Sequence, residues 1–175
     1  MIEYVLCILC GGLVKLADEY ADRRNFQKHE LLGFAAGIGY GILGAILVTW
    51  SPVIATACLA VIIAVVFAGK EDHPIHYCAM FSFLLVALYL GFKQPYAIPL
   101  FVLVAAAFID ERMSDRAELG KIRNKNLRKF FSARLMLDVT AIAVSIALAE
   151  PVYALAVVGF DAGYQAVAYV TKSTE

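Results

Sequence analysis

Seven long runs of apolar residues, separated by short polar segments, constrain this sequence more than any other feature. They cover residues 2–17, 31–50, 53–69, 77–92, 96–109, 135–149 and 152–170. Each run approaches the roughly 20 residues that a helix needs to cross a bilayer. Backbone polar groups must be paired in lipid, and the runs lack the alternation of barrel strands, so helices are expected. The sequence predicts an all-α integral membrane protein, a single membrane domain of residues 1–175 with about seven transmembrane helices.

The composition agrees with a membrane location. Hydrophobic residues make up 62% of the chain and charged residues 17%, whereas a soluble domain has nearer half and a quarter. We therefore expect a multi-pass protein of the cell membrane with membrane lipids as partners. No nucleic-acid partner is predicted, although the net charge of zero does not decide this alone. A homo-oligomer is compatible with the sequence, which contains no pattern that determines the oligomeric state.

The loop lysines and arginines predict the orientation. With the N-terminus outside, every one of them except Lys93 lies in an inner segment. Since cytoplasmic loops carry the excess of Lys and Arg, this orientation is favoured, and an odd number of spans puts the C-terminus inside. The longest inner segment, at about residues 111–134, is basic and amphipathic. It suits either a helix on anionic headgroups or a lid over a phosphate site.

Glycines recur at four-residue spacing in the second run. Gly33, Gly37 and Gly41 form a tandem G-x-x-x-G pattern. Such a stripe lets another helix approach closely because no side chain separates the backbones. The pattern predicts a tightly packed bundle interior rather than a chemical function.

Two acidic clusters with similar sequences lie at the ends of the first and fifth runs. Asp18-Glu19 precedes Asp22-Arg23, and Asp110-Glu111 precedes Asp115-Arg116. Both runs point inward, so the clusters should lie at one depth, and carboxylates four residues apart share a helix face. Mg²⁺ prefers such oxygen ligands and often takes phosphates as well. The predicted metal ligands are Asp18, Asp22, Asp110, Glu111 and Asp115. A salt-bridge network with the neighbouring arginines is the alternative.

Further polar residues are expected at the same membrane face. The inner loop Lys70–His76 contributes a lysine, an aspartate and histidines, and Asp161 lies deep in the seventh run, where an ionisable residue must face the bundle interior. Arg134 and Asp138 are expected to pair with each other. The predicted catalytic residues are Lys70, Asp72, His76 and Asp161. The predicted substrate-binding residues are Lys15, Arg23, Arg116, Arg134 and Asp138.

The two clusters resemble the paired aspartate motifs of the UbiA-type intramembrane prenyltransferases, which read N-x-x-x-D-x-x-x-D and D-x-x-x-D. The matching pairs are Asp18 with Asp22 and Glu111 with Asp115. Val14 stands where the family has Asn, and Glu111 replaces an Asp. The resemblance implies that these carboxylates bind the Mg²⁺-diphosphate of a polyprenyl donor at the cytosolic face.

The predicted function is a membrane-embedded, Mg²⁺-dependent enzyme that acts on a polyprenyl or lipid phosphate or diphosphate, with prenyl transfer as one form. Its substrate would be an isoprenoid or a phospholipid. Two alternatives remain: a small transporter or channel for a cation or polar solute, and a non-catalytic membrane subunit. The carboxylates gather at one face, whereas a permeation path would more often need polar groups along its whole length.

Overall fold

A computed structural model describes residues 1–22, 30–69 and 73–172 of the chain. This part contains eight α-helices and no strand. The helices are α1 (Ile2–Asp22), α2 (Glu30–Trp50), α3 (Pro52–Ala68), α4 (Pro74–Leu90), α5 (Ala97–Glu118), α6 (Lys125–Ser132), α7 (Leu135–Leu148) and α8 (Val152–Lys172). The prediction of an all-α fold is confirmed.

Each of the seven predicted apolar runs lies within or largely within one helix, and the differences fall at the helix ends. The first and fifth helices continue through their acidic clusters to Asp22 and Glu118. The predicted segment 111–134 is therefore divided between the end of α5 and the short helix α6. At α4, Pro74 does not interrupt the helix, because it occupies the first turn, where a proline needs no donor.

Local signals explain where α3 begins and ends. The Ser51 side chain accepts a hydrogen bond from the Ile54 N–H, and Pro52 follows it in the first turn. Gly69 ends the helix in the left-handed region with φ of 70°. Glycine adopts this conformation without a Cβ penalty, so the last turn closes there.

Glycines allow two pairs of helices to approach closely. In α2, a Cβ at Gly37 would lie 2.7 Å from the Ile75 carbonyl oxygen of α4. In α8, a Cβ at Gly163 would collide with the Ile8 carbonyl oxygen of α1. The prediction from the α2 glycines is confirmed, and α1 and α8 form a second, parallel interface of the same kind.

Small residues fill much of the interior, whereas large apolar side chains cover much of the exterior. Ala45, Ala55 and Ala60 are fully buried, while Leu88 is 81% and Phe101 74% exposed. Soluble domains rarely expose apolar surface over so wide an area. Most of the larger buried side chains belong to one cluster that includes Leu47, Leu103 and Tyr153.

One helix of the described residues, α2, is both long and apolar enough to cross a bilayer alone. A second candidate arises if α6 and α7, which meet at a bend of 75°, are treated as one span. The helices α3 and α4 are apolar but shorter. Seven membrane crossings therefore stay a prediction.

Candidate functional site

A cavity of about 840 Å³ lies between the helices. Side chains or backbone from α1, α2, α3, α4, α5, α7 and α8 line it, together with Arg134 just before α7. The helices α1 and α5 both contribute their C-terminal parts, although their backbones do not pack against each other in the described residues. Residues of the two acidic clusters thus line the same cavity.

The cavity has an apolar end and a charged end. On α1, Cys7 and Cys10 line the apolar part, whereas Lys15 and Asp18 line the charged part. The parallel helix α8 repeats this order, with Val157 before Asp161. At 1.5 Å per residue, the eleven residues from Cys7 to Asp18 correspond to about 16 Å along the helix axis.

Many of the predicted site residues line this cavity. They are Lys15, Asp18, His76, Asp110, Glu111, Asp115, Arg134, Asp138 and Asp161. Described members of both acidic clusters therefore line one cavity together with His76, which agrees with the expectation that the clusters lie at one depth. Sequence reasoning had not selected Tyr40, Glu19, Glu118, Tyr164 or Lys172, which line the cavity as well.

Other predicted residues lie elsewhere or cannot be placed. Arg116 is exposed and is not part of the cavity wall. Arg23, Lys70 and Asp72 lie outside the described residues, and Asp22 is described only as the last residue of α1. Their predicted roles stay predictions.

Asp18 stands at the centre of a network of polar contacts that joins four helices. The Tyr164 hydroxyl of α8 donates to Asp18 Oδ2 at 2.9 Å. His76 Nε2 of α4 lies 3.7 Å from Asp18 Oδ1. The other ring nitrogen of His76 lies 2.9 Å from the hydroxyl of Tyr40 on α2. This arrangement fixes the orientation of the imidazole at the cavity wall, as an acid–base group requires.

The ring of Tyr164 lies close to two cations. Lys15 Nζ and Arg134 Cζ are each 5.3 Å from its centroid, within the range of a cation–π contact. Lys15 also pairs with Glu19 at 2.8 Å, one turn further along α1. The signals for Tyr164 and Glu19 were present in the sequence, because both are polar residues that stand one helical turn from a predicted site residue.

Arg134 pairs with Glu111 across the cavity wall rather than with Asp138. Its Nη1 lies 2.8 Å from Glu111 Oε1. The expected pairing with Asp138 was wrong because it assumed that residues 134 and 138 share one helix. Arg134 instead precedes α7 in the left-handed region with φ of 53°, so the i, i+4 geometry does not apply.

Asp110 has a structural partner of its own. Its carboxylate accepts the N–H of Met136 at 3.1 Å and the N–H of Leu137 at 2.6 Å. These are donors that a helix leaves unpaired in its first turn, and no side chain of α7 caps them locally. Asp110 therefore caps α7 from α5, and both of its oxygens are engaged.

Within residues 1–22, 30–69 and 73–172, no three His, Cys, Asp or Glu residues converge closely enough to hold a metal ion between them. The cavity carboxylates instead have protein partners, as Asp18, Asp110 and Glu111 illustrate. Mg²⁺ binding accordingly stays a prediction.

Comparisons of the chain with protein-family models, curated proteins and solved structures found no match.

Proposed function

We propose that the chain is a multi-pass membrane protein whose cavity binds an amphiphile with a phosphate or diphosphate head and transfers a group from it at the cytoplasmic face. The distribution of side chains supports the membrane location. Small residues pack between the helices, large apolar residues such as Leu88 and Phe101 point outward, and Glu111 and Asp110 are buried inside. Membrane bundles combine small residues at helix contacts with ionisable residues in the interior.

The observation that carries the proposal is the amphiphilic cavity. An apolar end lined by Cys7, Leu47 and Val157 leads into an end lined by Lys15 and Arg134. The apolar end suits a prenyl or acyl chain, and the two cations suit phosphate oxygens. A polar solute would gain nothing from the apolar end, so an amphiphile suits the whole cavity better than a small solute does.

Lys15 and Arg134 are held in position before a substrate arrives, since each is paired with a glutamate and lies over the Tyr164 ring. Such preorganised cations stabilise the negative charge that develops on a leaving phosphate. His76, oriented by Tyr40, is placed to accept a proton from an attacking hydroxyl.

The cavity carboxylates suit Mg²⁺ that is bound jointly with the phosphate. Sites of this kind typically use one or two carboxylates and complete the coordination with water and phosphate oxygens. Asp115 and Asp18 line the charged end and are the carboxylates that we assign to this role. When bound, the ion would neutralise the leaving group. The resemblance to the UbiA-type prenyltransferases is consistent with prenyl transfer as the reaction.

Thermal unfolding of the purified full chain in detergent tests this proposal. The melting temperature is measured alone, with Mg²⁺, with farnesyl diphosphate, and with both. A ligand at about a hundredfold excess over its Kd stabilises by about 2.7 kcal/mol, or roughly 5–10 °C for a chain of this size. We expect this shift only with both ligands together, and we expect diphosphate or phosphate release with a suitable acceptor.

Two variants make the test specific. Asp115→Asn removes a carboxylate from the charged end and should abolish most of the joint shift. Glu3→Gln is the matched control, because Glu3 lies in the first turn of α1 and pairs with the N-terminus. No shift in the wild type with Mg²⁺ and farnesyl diphosphate together would refute the proposal. A shift with a cation alone would favour the transporter, and equal shifts in both variants would refute the role of Asp115.

A further inference from the structure

We infer that α6 and the turn before it form a docking surface for anionic phospholipid headgroups, separate from the cavity. This surface, called the α6 surface below, consists of Lys121, Arg123, Lys125, Arg128 and Lys129. The inference rests on the membrane location proposed above but not on the proposed reaction.

The first observation is that α6 buries none of its residues despite a strong separation of apolar and basic side chains. All five basic residues of the α6 surface are exposed. Leu127 is 51% exposed, and Phe130 and Phe131 are only half-buried and pack edge to face against each other at 5.2 Å. The helix therefore offers both a cationic side and an apolar side to something outside the described chain.

The second observation is the sign of the charge. From Leu119 to Ala133 the sequence contains no acidic residue. None of the five basic side chains makes an ion pair with an acidic residue of the described part. A partner that neutralises them must bring negative charge over the length of the helix, as a layer of anionic headgroups does.

The third observation is the direction of the helix. The axis of α6 meets that of α7 at 75°, so if α7 crosses the bilayer, α6 runs nearly along its surface. The Asn124 side chain caps the start of α6, and Arg134 turns the chain into α7. The neighbours Glu118 and Arg134 line the charged end of the cavity, which places α6 at that end of the bundle. This geometry matches an interfacial helix whose apolar side enters the headgroup boundary.

Hydrogen–deuterium exchange of the full chain in lipid nanodiscs tests the inference. One set of discs contains phosphatidylcholine alone, and the other an equal mixture of phosphatidylcholine and phosphatidylglycerol. We expect the amides of residues 125–132 to exchange at least about tenfold more slowly in the anionic discs, since two basic residues near such a surface already raise the affinity by more than that. The difference should shrink in high salt.

A triple variant, Lys125→Gln with Arg128→Gln and Lys129→Gln, should lose this difference. It should still fold, because these side chains are exposed. Lys93→Gln is the control for loss of an exposed positive charge elsewhere and should behave like the wild type. The amides of α2 provide the reference for folding and insertion.

Equal exchange of residues 125–132 in the two lipid mixtures would overturn the inference, as would a triple variant that keeps the wild-type difference. Fast exchange throughout α2 would overturn the membrane location and this inference with it. Failure of the proposed reaction would instead appear in the thermal shift with Mg²⁺ and diphosphate, which does not depend on α6.

Discussion

Two consecutive carboxylates of α5 show how differently neighbouring residues are used. Asp110 caps the first turn of α7 through two backbone N–H groups, whereas Glu111 pairs with Arg134 at 2.8 Å. Glu111 is 7% exposed, and the positive charge of that arginine offsets part of the cost of burying its carboxylate. Together the two contacts connect the end of α5 to the beginning of α7.

The first prediction concerns this ion pair. Arg134→Gln should lower the free energy of unfolding by about 2–3 kcal/mol, because it removes the guanidinium that lies 2.8 Å from the buried Glu111 carboxylate. Arg116→Gln, an arginine of α5 that is exposed and off the cavity wall, should change it by less than about 0.5 kcal/mol. Melting temperatures of both variants in the same detergent check the difference. Equal melting temperatures would mean that the pair contributes nothing to stability.

The sequence predicted which residues line a common cavity better than it predicted the specific contacts that these residues make. Asp18, Glu111 and His76 line one cavity, as expected from charged residues at the inner ends of apolar runs. The contact of Arg134 with Glu111 was not predicted because it depends on the left-handed backbone conformation of Arg134 between α6 and α7. No local sequence pattern indicates that conformation. Tyr40 was missed because a tyrosine in an apolar run is usually a packing residue.

At the scale of elements, the contact between α1 and α8 depends on glycine. A Cβ at Gly11 would collide with the Phe160 carbonyl oxygen, and one at Gly163 with that of Ile8. By contrast, a Cβ at Gly159 would meet Ile8 only at 3.6 Å, an ordinary contact distance. Two glycines one turn apart in α8 therefore differ in how much space they have.

The second prediction uses this difference. Gly163→Ala should force α1 and α8 apart and cost about 3 kcal/mol or more, because the obstacle is backbone rather than a flexible side chain. Gly159→Ala should be neutral or should stabilise by up to about 1 kcal/mol, since alanine favours the helix. Thermal unfolding and the yield of folded protein measure both. Equal loss in the two variants would contradict the observed spacing.

The helices themselves were largely predictable, and their ends were not. Apolar runs gave seven of the eight helices, but α5 continues to Glu118 because Glu, Arg and Met within it are good helix formers. The glycines of α2 were recognised from their spacing, whereas the equally spaced Gly159 and Gly163 of α8 were overlooked.

For the whole molecule, the third prediction is its orientation, with the N-terminus outside and the C-terminus inside. Lys93→Cys and Lys125→Cys place exposed thiols on the two predicted sides. A membrane-impermeant maleimide should label Lys93→Cys in intact cells and Lys125→Cys only after permeabilisation, relative to the parent chain. Labelling of Lys125→Cys in intact cells would show that the orientation indicated by the basic loops is wrong.

The parallel packing of α1 against α8 also sets an order of events during synthesis. The helix α1 leaves the ribosome before α8, with which it makes an extensive, glycine-dependent interface, and Asp18 can receive its hydrogen bond from Tyr164 only once α8 has emerged. Until α8 emerges, this side of α1 lacks the surface that covers it in the finished protein. The wall of the cavity is therefore closed only once α8 has been made, and a chain truncated before α8 leaves that wall open.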